Sequence, residues 1–411
     1  MKKILCLICL FSVSFYSCAV RNYLGSQSGL SEDRVFYAQM INNGNIYGWF
    51  NIPAHLLKVS DNLAIYLQNS QNVSAYALNK LAQEFDYHYT SMTNIYGTHS
   101  DIDANGKIII LLMDINKTKS GGQTLGYFNP SDMHGNNKGE ILYMDISNAN
   151  NNTDKAIGTI IHEFQHLINY NYVISGERNE MSSWLNEALS ESTSILFNKT
   201  TAESRIAEFN NINYYCFYTW NTSNISNNNK NNTHVNYPSA SVFMHWLYKT
   251  NNCDKNIFKT IASSKELGDY NKVLSAASGI SGYSVSSWDG LLLDWMSEIV
   301  TNGNNWKTTN KPTNNCASGD VSLYPGAMIV CDNYTNGASG NIVKTNVNSK
   351  TIVLNKDITL GKGATSVKVS VTSSQASSKA RTRRSAIRND NNEESRDINI
   401  LLDRNGNIKK D

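Results

Sequence analysis

Between Ile157 and Tyr170 the chain reads IGTIIHEFQHLINY. Ile157, Ile160, Ile161, Phe164, Leu167 and Ile168 recur at helical spacing over a wide arc, so a helix here has to lie beneath other chain. The same run carries His162, Glu163 and His166. Residues four apart leave a helix from one face, so the two imidazoles can each offer a nitrogen to one ion about 2 Å away. Glu163, beside the first, can reach a water on such an ion. Enclosing this helix takes a sizeable fold, and 411 residues allow two or three compact units.

Two imidazoles leave a zinc ion one protein ligand short. The metzincin pattern would place glycine at 169 and histidine at 172, where this chain has Asn169 and Tyr172. Downstream lies Trp184-Leu-Asn-Glu187-Ala-Leu-Ser-Glu191, helical by pattern over Ser183–Phe197. Glu187 on that second helix suits a third ligand after the chain reverses. Glu191, a turn further on, can accept a hydrogen bond from a ligand histidine's other nitrogen and fix its tautomer. Read alone, Glu187 is a surface carboxylate on an amphipathic helix; the upstream motif turns the reading toward a ligand.

HEFQH followed by NEALSE resembles the gluzincin zinc peptidases, and more closely the hyicolysin family of secreted bacterial metallopeptidases. The likeness extends through DIDANGKIIILLMDI, GYFNPSDM and ILYMDIS and covers roughly 61–250. It implies an α+β, zincin-like catalytic domain, with a mixed sheet over the metal helix and a helical lower subdomain. It also implies one catalytic zinc on His162, His166 and Glu187, with Glu163 as general base toward peptide or protein substrates. Glu191 stands where thermolysin has an aspartate. An oxyanion donor is needed as well, and Tyr237 or His234 in His234-Val-Asn-Tyr-Pro238 are the candidates. Tyr237 reads equally as a packing aromatic at a helix start, and His245 reads as structural. In the zincin architecture a peptide adds as a strand to a sheet edge, which makes Thr124–Asn129 the expected edge.

Other functions remain open at this stage. An aminopeptidase would share the metal, but the nearest match to its anchor pattern, Gly326-Ala-Met-Ile-Val330, lacks the glutamate. A non-catalytic surface adhesin would leave Glu163 without a reason. A non-peptidase zinc hydrolase is the third possibility. With 36 Lys plus Arg against 34 Asp plus Glu, nothing suggests a nucleic-acid partner.

The start, MKKILCLICLFSVSFYSC, has a basic head and an apolar stretch too short to span a bilayer, so 1–18 reads as an export signal. Phe-Tyr-Ser-Cys-Ala resembles a relaxed lipoprotein box. The chain is thus expected at the cell surface or outer membrane, anchored through an acylated Cys18, or else secreted. Export permits disulfides among Cys216, Cys253, Cys316 and Cys331, with Cys316–Cys331 the first pairing to consider; four buried thiols are the alternative.

The remaining pattern divides the chain into a small β unit at 19–60, an upper catalytic subdomain at 61–200, a helical lower subdomain at 201–303 and a β-rich region at 304–411. Asn43-Gly44 between β-rich runs signals a hairpin. Val73–Thr93 has helical spacing, with His88 as a packed boundary residue. Lys107–Ile115 reads as a buried central strand. Asp101-Ile-Asp-Ala-Asn-Gly106 imitates half a calcium loop, but position twelve is Leu112 instead of a bidentate glutamate, so a turn is expected and structural Ca2+ is not supported. Segment 373–396 lacks periodicity and is expected to be flexible, and Asp397–Leu402 is a candidate last strand.

Overall fold

The structure is a computed structural model that describes residues 30–42, 44–118, 123–212, 214–217, 220, 233–303, 319–331, 341–356 and 367–371. The signal segment with Cys18, the segment 373–396 and Asp397–Leu402 lie outside these residues. The chain forms two compact units. Described residues 30–90 and 99–160 make the first; 91–98 and those from 161 onward make the second.

The first unit is built on a six-stranded mixed sheet. Its strands are β1 (Asp33–Asn42), β2 (Asn45–Val59), β3 (Leu63–Gln68), β4 (Ile108–Met113), β5 (Gly126–Phe128) and β6 (Ile141–Asp145). Their order is β1-β2-β3-β4-β6-β5, with β3, β4 and β6 parallel and the other pairs antiparallel. β4 is isoleucine- and leucine-rich and buried throughout. Ile109, Leu111 and Met113 join Phe36, Tyr66, Tyr127 and Tyr143 in one core, while Ile108, Ile110 and Leu112 are buried on the other face.

The hairpin at Gly44 is present, with Gly44 at φ +74°, but β1 and β2 are not a separate β unit. They continue the same sheet, because β2 pairs with β3 from Ala54 to Val59. At the opposite edge lies β5, bonded to β6 through the register Gly126↔Met144 to Phe128↔Leu142.

Helix α1 (Ala75–Tyr96) follows β3, and α2 (Ile146–Asn151) follows β6, capped by the Asp145 carboxylate accepting from the Ser147 and Asn148 amides. His88 lies 3.5 Å from Glu84 one turn back, with burial pushing its imidazole pKa down. Helix α3 (Thr153–Ile174) begins in the first unit and passes into the second at Ile161.

The second unit is mainly helical: α4 (Ser183–Phe197), α5 (Lys199–Asn210), α6 (Thr233–Thr250), α7 (Asn256–Ala262), α8 (Asp269–Ser278) and α9 (Trp288–Asn302). Trp184, Phe217, Phe243, Trp288 and Trp295 form its aromatic core, at ring separations such as 5.1 Å for Phe217–Phe243. It also holds β7 (Gly319–Leu323), β8 (Met328–Cys331), β9 (Ile342–Val347), β10 (Lys350–Asn355) and β11 (Val367–Val371), in a β8-β10-β9 sheet and a β11-β7 pair. Gly326-Ala-Met-Ile-Val330 is the turn and strand entering β8; Gly326 has φ +71° and its amide donates to the Asn355 carbonyl. Cys216, Cys253 and Cys331 are not bonded to one another, and Cys316 lies outside the described residues. No described helix is long and apolar enough to cross a membrane.

Candidate metal centre

Helix α3 is buried around most of its circumference from Ile157 to Asn169. Its apolar residues account for part of that burial. The remainder includes His162, Glu163, Gln165, His166 and Asn169, each at most 5% exposed. Polar groups in such surroundings need partners, and α4 supplies several of them. Asn169 Nδ2 donates to Asn186 Oδ1 at 2.9 Å, and Ser190 Oγ donates to Gln165 Oε1 at 2.5 Å. Glu187, Ser190 and Glu191 leave α4 on one face because they stand three and four residues apart.

Three donor atoms converge between the helices. His162 Nε2 and His166 Nε2 are 3.1 Å apart, and Glu187 Oε2 lies 3.3 Å from the first and 3.7 Å from the second. The outer ring nitrogens have neighbours of their own. His166 Nδ1 is 3.1 Å from Ser190 Oγ, and His162 Nδ1 is 3.7 Å from Glu191 Oε1. With the Ser190 hydroxyl proton committed to Gln165, its oxygen is left to accept from His166 Nδ1–H, and the Glu191 anion likewise favours the proton on His162 Nδ1. Both Nε2 lone pairs then face Glu187.

Glu187 is wholly buried, and neither of its oxygens is hydrogen-bonded among the described residues. Burial pushes its pKa up, whereas protonated imidazoles at His166 and His162 would more than offset this and hold it at about 2. An anion and two imidazole lone pairs directed at one point repel each other unless a cation sits among them. Two nitrogens and one carboxylate oxygen are also the donor set of open divalent-metal sites, so the residues present fit a metal. Glu163 is 2% exposed and adjoins His162.

Glu191 is itself held. Arg205 Nε donates to its Oε2 and Nη2 to its Oε1, both at 2.9 Å, while Arg205 Nη1 reaches Glu208 Oε2 at 3.0 Å. The guanidinium carbon also lies 4.8 Å from the centroid of the Tyr237 ring. Tyr237, 5% exposed on α6, has its ring 6.5 Å from that of His162 and meets the Trp220 ring edge-on at 4.4 Å. The side chain of His234 lies outside the described residues. His245 sits two turns along α6 from Tyr237, and burial pushes its pKa down to about 4.

The sequence reading missed Arg205 and Ser190. Each left a signal: Ser190 shares the face of Glu187 and Glu191, and Arg205 interrupts the buried stripe Ala202, Ile206, Phe209 of α5.

No family model matches the chain. It is 33% identical over 145 residues to the neutral metalloprotease ShpI of Staphylococcus hyicus, a match covering 32% of this chain and 33% of that protein. Among solved structures, native leukotriene A4 hydrolase from Saccharomyces cerevisiae overlaps 67% of this chain and 42% of its own, at 13% identity and a TM-score of 0.30, which carries no argument about fold. The chain therefore spans about a third of the length of the curated relative it matches.

Proposed function

We propose that the protein is a zinc-dependent endopeptidase of zincin architecture, akin to the hyicolysins, acting on peptide or protein substrates. The observation that carries this is the convergence of His162 Nε2, His166 Nε2 and Glu187 Oε2, all buried, with Glu163 next in sequence to the first. His162, His166 and Glu187 would hold the zinc. When bound, it supplies a Lewis acid for the scissile carbonyl and lowers the pKa of a water to about 7.

The chain's own residues have separate tasks. The Glu163 carboxylate takes up the proton of the attacking water and returns it to the departing amine. Glu191 orients the His162 ring through Nδ1, and Ser190 does the same for His166. Tyr237, whose ring neighbours that of His162, is the donor proposed for the developing oxyanion; such a donor contributes about 3 kcal/mol to the transition state. His234 is the alternative donor from the same segment. We further propose that the chain is exported and anchored through Cys18. Mass spectrometry of the mature N-terminus tests this, and an unmodified terminus at another residue would overturn it.

The deciding experiment is metal analysis of the purified chain together with casein hydrolysis, with and without a chelator. Stoichiometric zinc and chelator-sensitive cleavage are expected. Folded protein that holds no zinc and cleaves nothing would end the enzyme reading.

A further inference from the structure

In the first unit, the turn Asp101–Gly106 meets a carboxylate that is remote from it in sequence. Asp101, Asp103 and Glu140 each bring an oxygen within 4.8 Å of the others. Sheet register puts Glu140 there: it immediately precedes β6, which runs parallel to β4, and its carbonyl accepts from the Ile109 amide at 2.8 Å. The calcium-loop imitation therefore lacks a glutamate at Leu112 but gains one from the neighbouring strand. Gly106 at φ +66° makes the sharp turn at the sixth position, and its amide donates to Asp101 Oδ1 at 3.0 Å.

The cluster has little positive charge to balance it. Arg34 Nη1 lies 3.8 Å from Asp103 Oδ2, and the Lys107 ammonium donates to the Asp61 carbonyl at 2.7 Å. Glu140 is wholly buried. Its Oε1 accepts from Ser100 Oγ and, at 3.0 Å, from the Ile102 amide, whereas Oε2 has no hydrogen-bond donor among the described residues. A fully buried carboxylate oxygen left without a donor, beside two more carboxylates, is costly unless a cation meets it. Burial, followed by the charge of Glu140, pushes the Asp103 pKa up to about 6, as crowded carboxylates do.

We propose that Asp101, Asp103 and Glu140 form a calcium site that ties the turn before β4 to the start of β6. All-oxygen donors from two chain segments suit a cation that takes 6–8 ligands in irregular geometry better than magnesium, which requires a near-ideal octahedron. The site is separate from the proposed zinc centre, and its failure would leave the peptidase reading untouched.

The test is calcium chloride titration of the zinc-loaded full chain, followed by calorimetry and thermal unfolding. One calcium per chain is expected, with the melting temperature raised by about 4 °C at a hundredfold excess over Kd and less by magnesium. Glu140→Gln and Asp101→Asn should each weaken calcium binding at least tenfold. Asp101 is exposed, so its variant carries the test if Glu140→Gln does not fold. No calcium uptake by the parent, an equal response to magnesium, or unchanged uptake in Asp101→Asn would overturn the site.

Discussion

Arg205 and Glu191 form a two-pronged ion pair, both contacts at 2.9 Å, between two buried side chains fourteen residues apart. Through Glu191 the pair reaches His162 Nδ1, and through the guanidinium face it reaches the Tyr237 ring. It ties together a proposed metal ligand, its orienting carboxylate and the proposed oxyanion donor.

Removing Arg205 takes its two-pronged partner from the buried Glu191 carboxylate. Arg205→Met is expected to cost about 3 kcal/mol in urea unfolding, and Arg205→Met combined with Glu191→Leu should recover most of it. Arg205→Lys keeps the charge but loses the fork, so it should fall between them. A loss below about 1 kcal/mol in the single Met variant would show that the pair contributes little.

Ser190 fixes the His166 ring from behind. Ser190→Ala should lower zinc affinity by roughly tenfold, and because it also takes the donor from the buried Gln165 oxygen it should cost about 1–3 kcal/mol in urea unfolding. Competition with a chromogenic chelator measures the affinity, and a parental value would remove Ser190 from the positioning role.

Glu163 and Glu187 should separate in a paired assay. Glu163→Gln is expected to retain zinc and lose turnover by at least a hundredfold, the usual scale of general acid–base catalysis. Glu187→Gln should lose metal first. Parental activity in either variant would refute that residue's role.

How much of this was legible in the sequence varied with the type of signal. The Ser183–Phe197 helix was read with its observed bounds, and β4 was visible as an apolar run, because both follow periodicity and burial. Helix α5 was not read: KTTAESRIAEFN has few apolar residues, and one of its buried positions is an arginine whose partner lies on another helix. Pairing across the sheet was equally hidden. Nothing local to β2 says that it goes on to bond β3, and nothing local to the turn at 101–106 points to Glu140. Chemistry within one turn of helix was readable, whereas chemistry assembled by register was not.

Asp132 should give stability a distinct pH dependence. Its carboxylate accepts from Tyr143 Oη at 2.8 Å and Asn137 Nδ2 at 2.7 Å, yet burial pushes its pKa up from 3.8 to about 7. The folded state therefore keeps a proton that the unfolded chain releases. The associated stability is complete below pH 3.8 and is lost as the pH rises through about 7. Asp132→Asn should flatten the fall in urea midpoint between about pH 4 and 7 relative to the parent. Parallel curves for the two proteins would contradict this.

The 3.1 Å approach of the two Nε2 atoms over Glu187 has a final consequence. The space among these three acceptors takes a metal or protons, but not both, so acidification competes directly with loading. Zinc occupancy at fixed total zinc should fall on acidification and return on neutralisation. Loading of such a site is then set jointly by the acidity and the free zinc around it, so the same chain would be empty in one surrounding and filled in another.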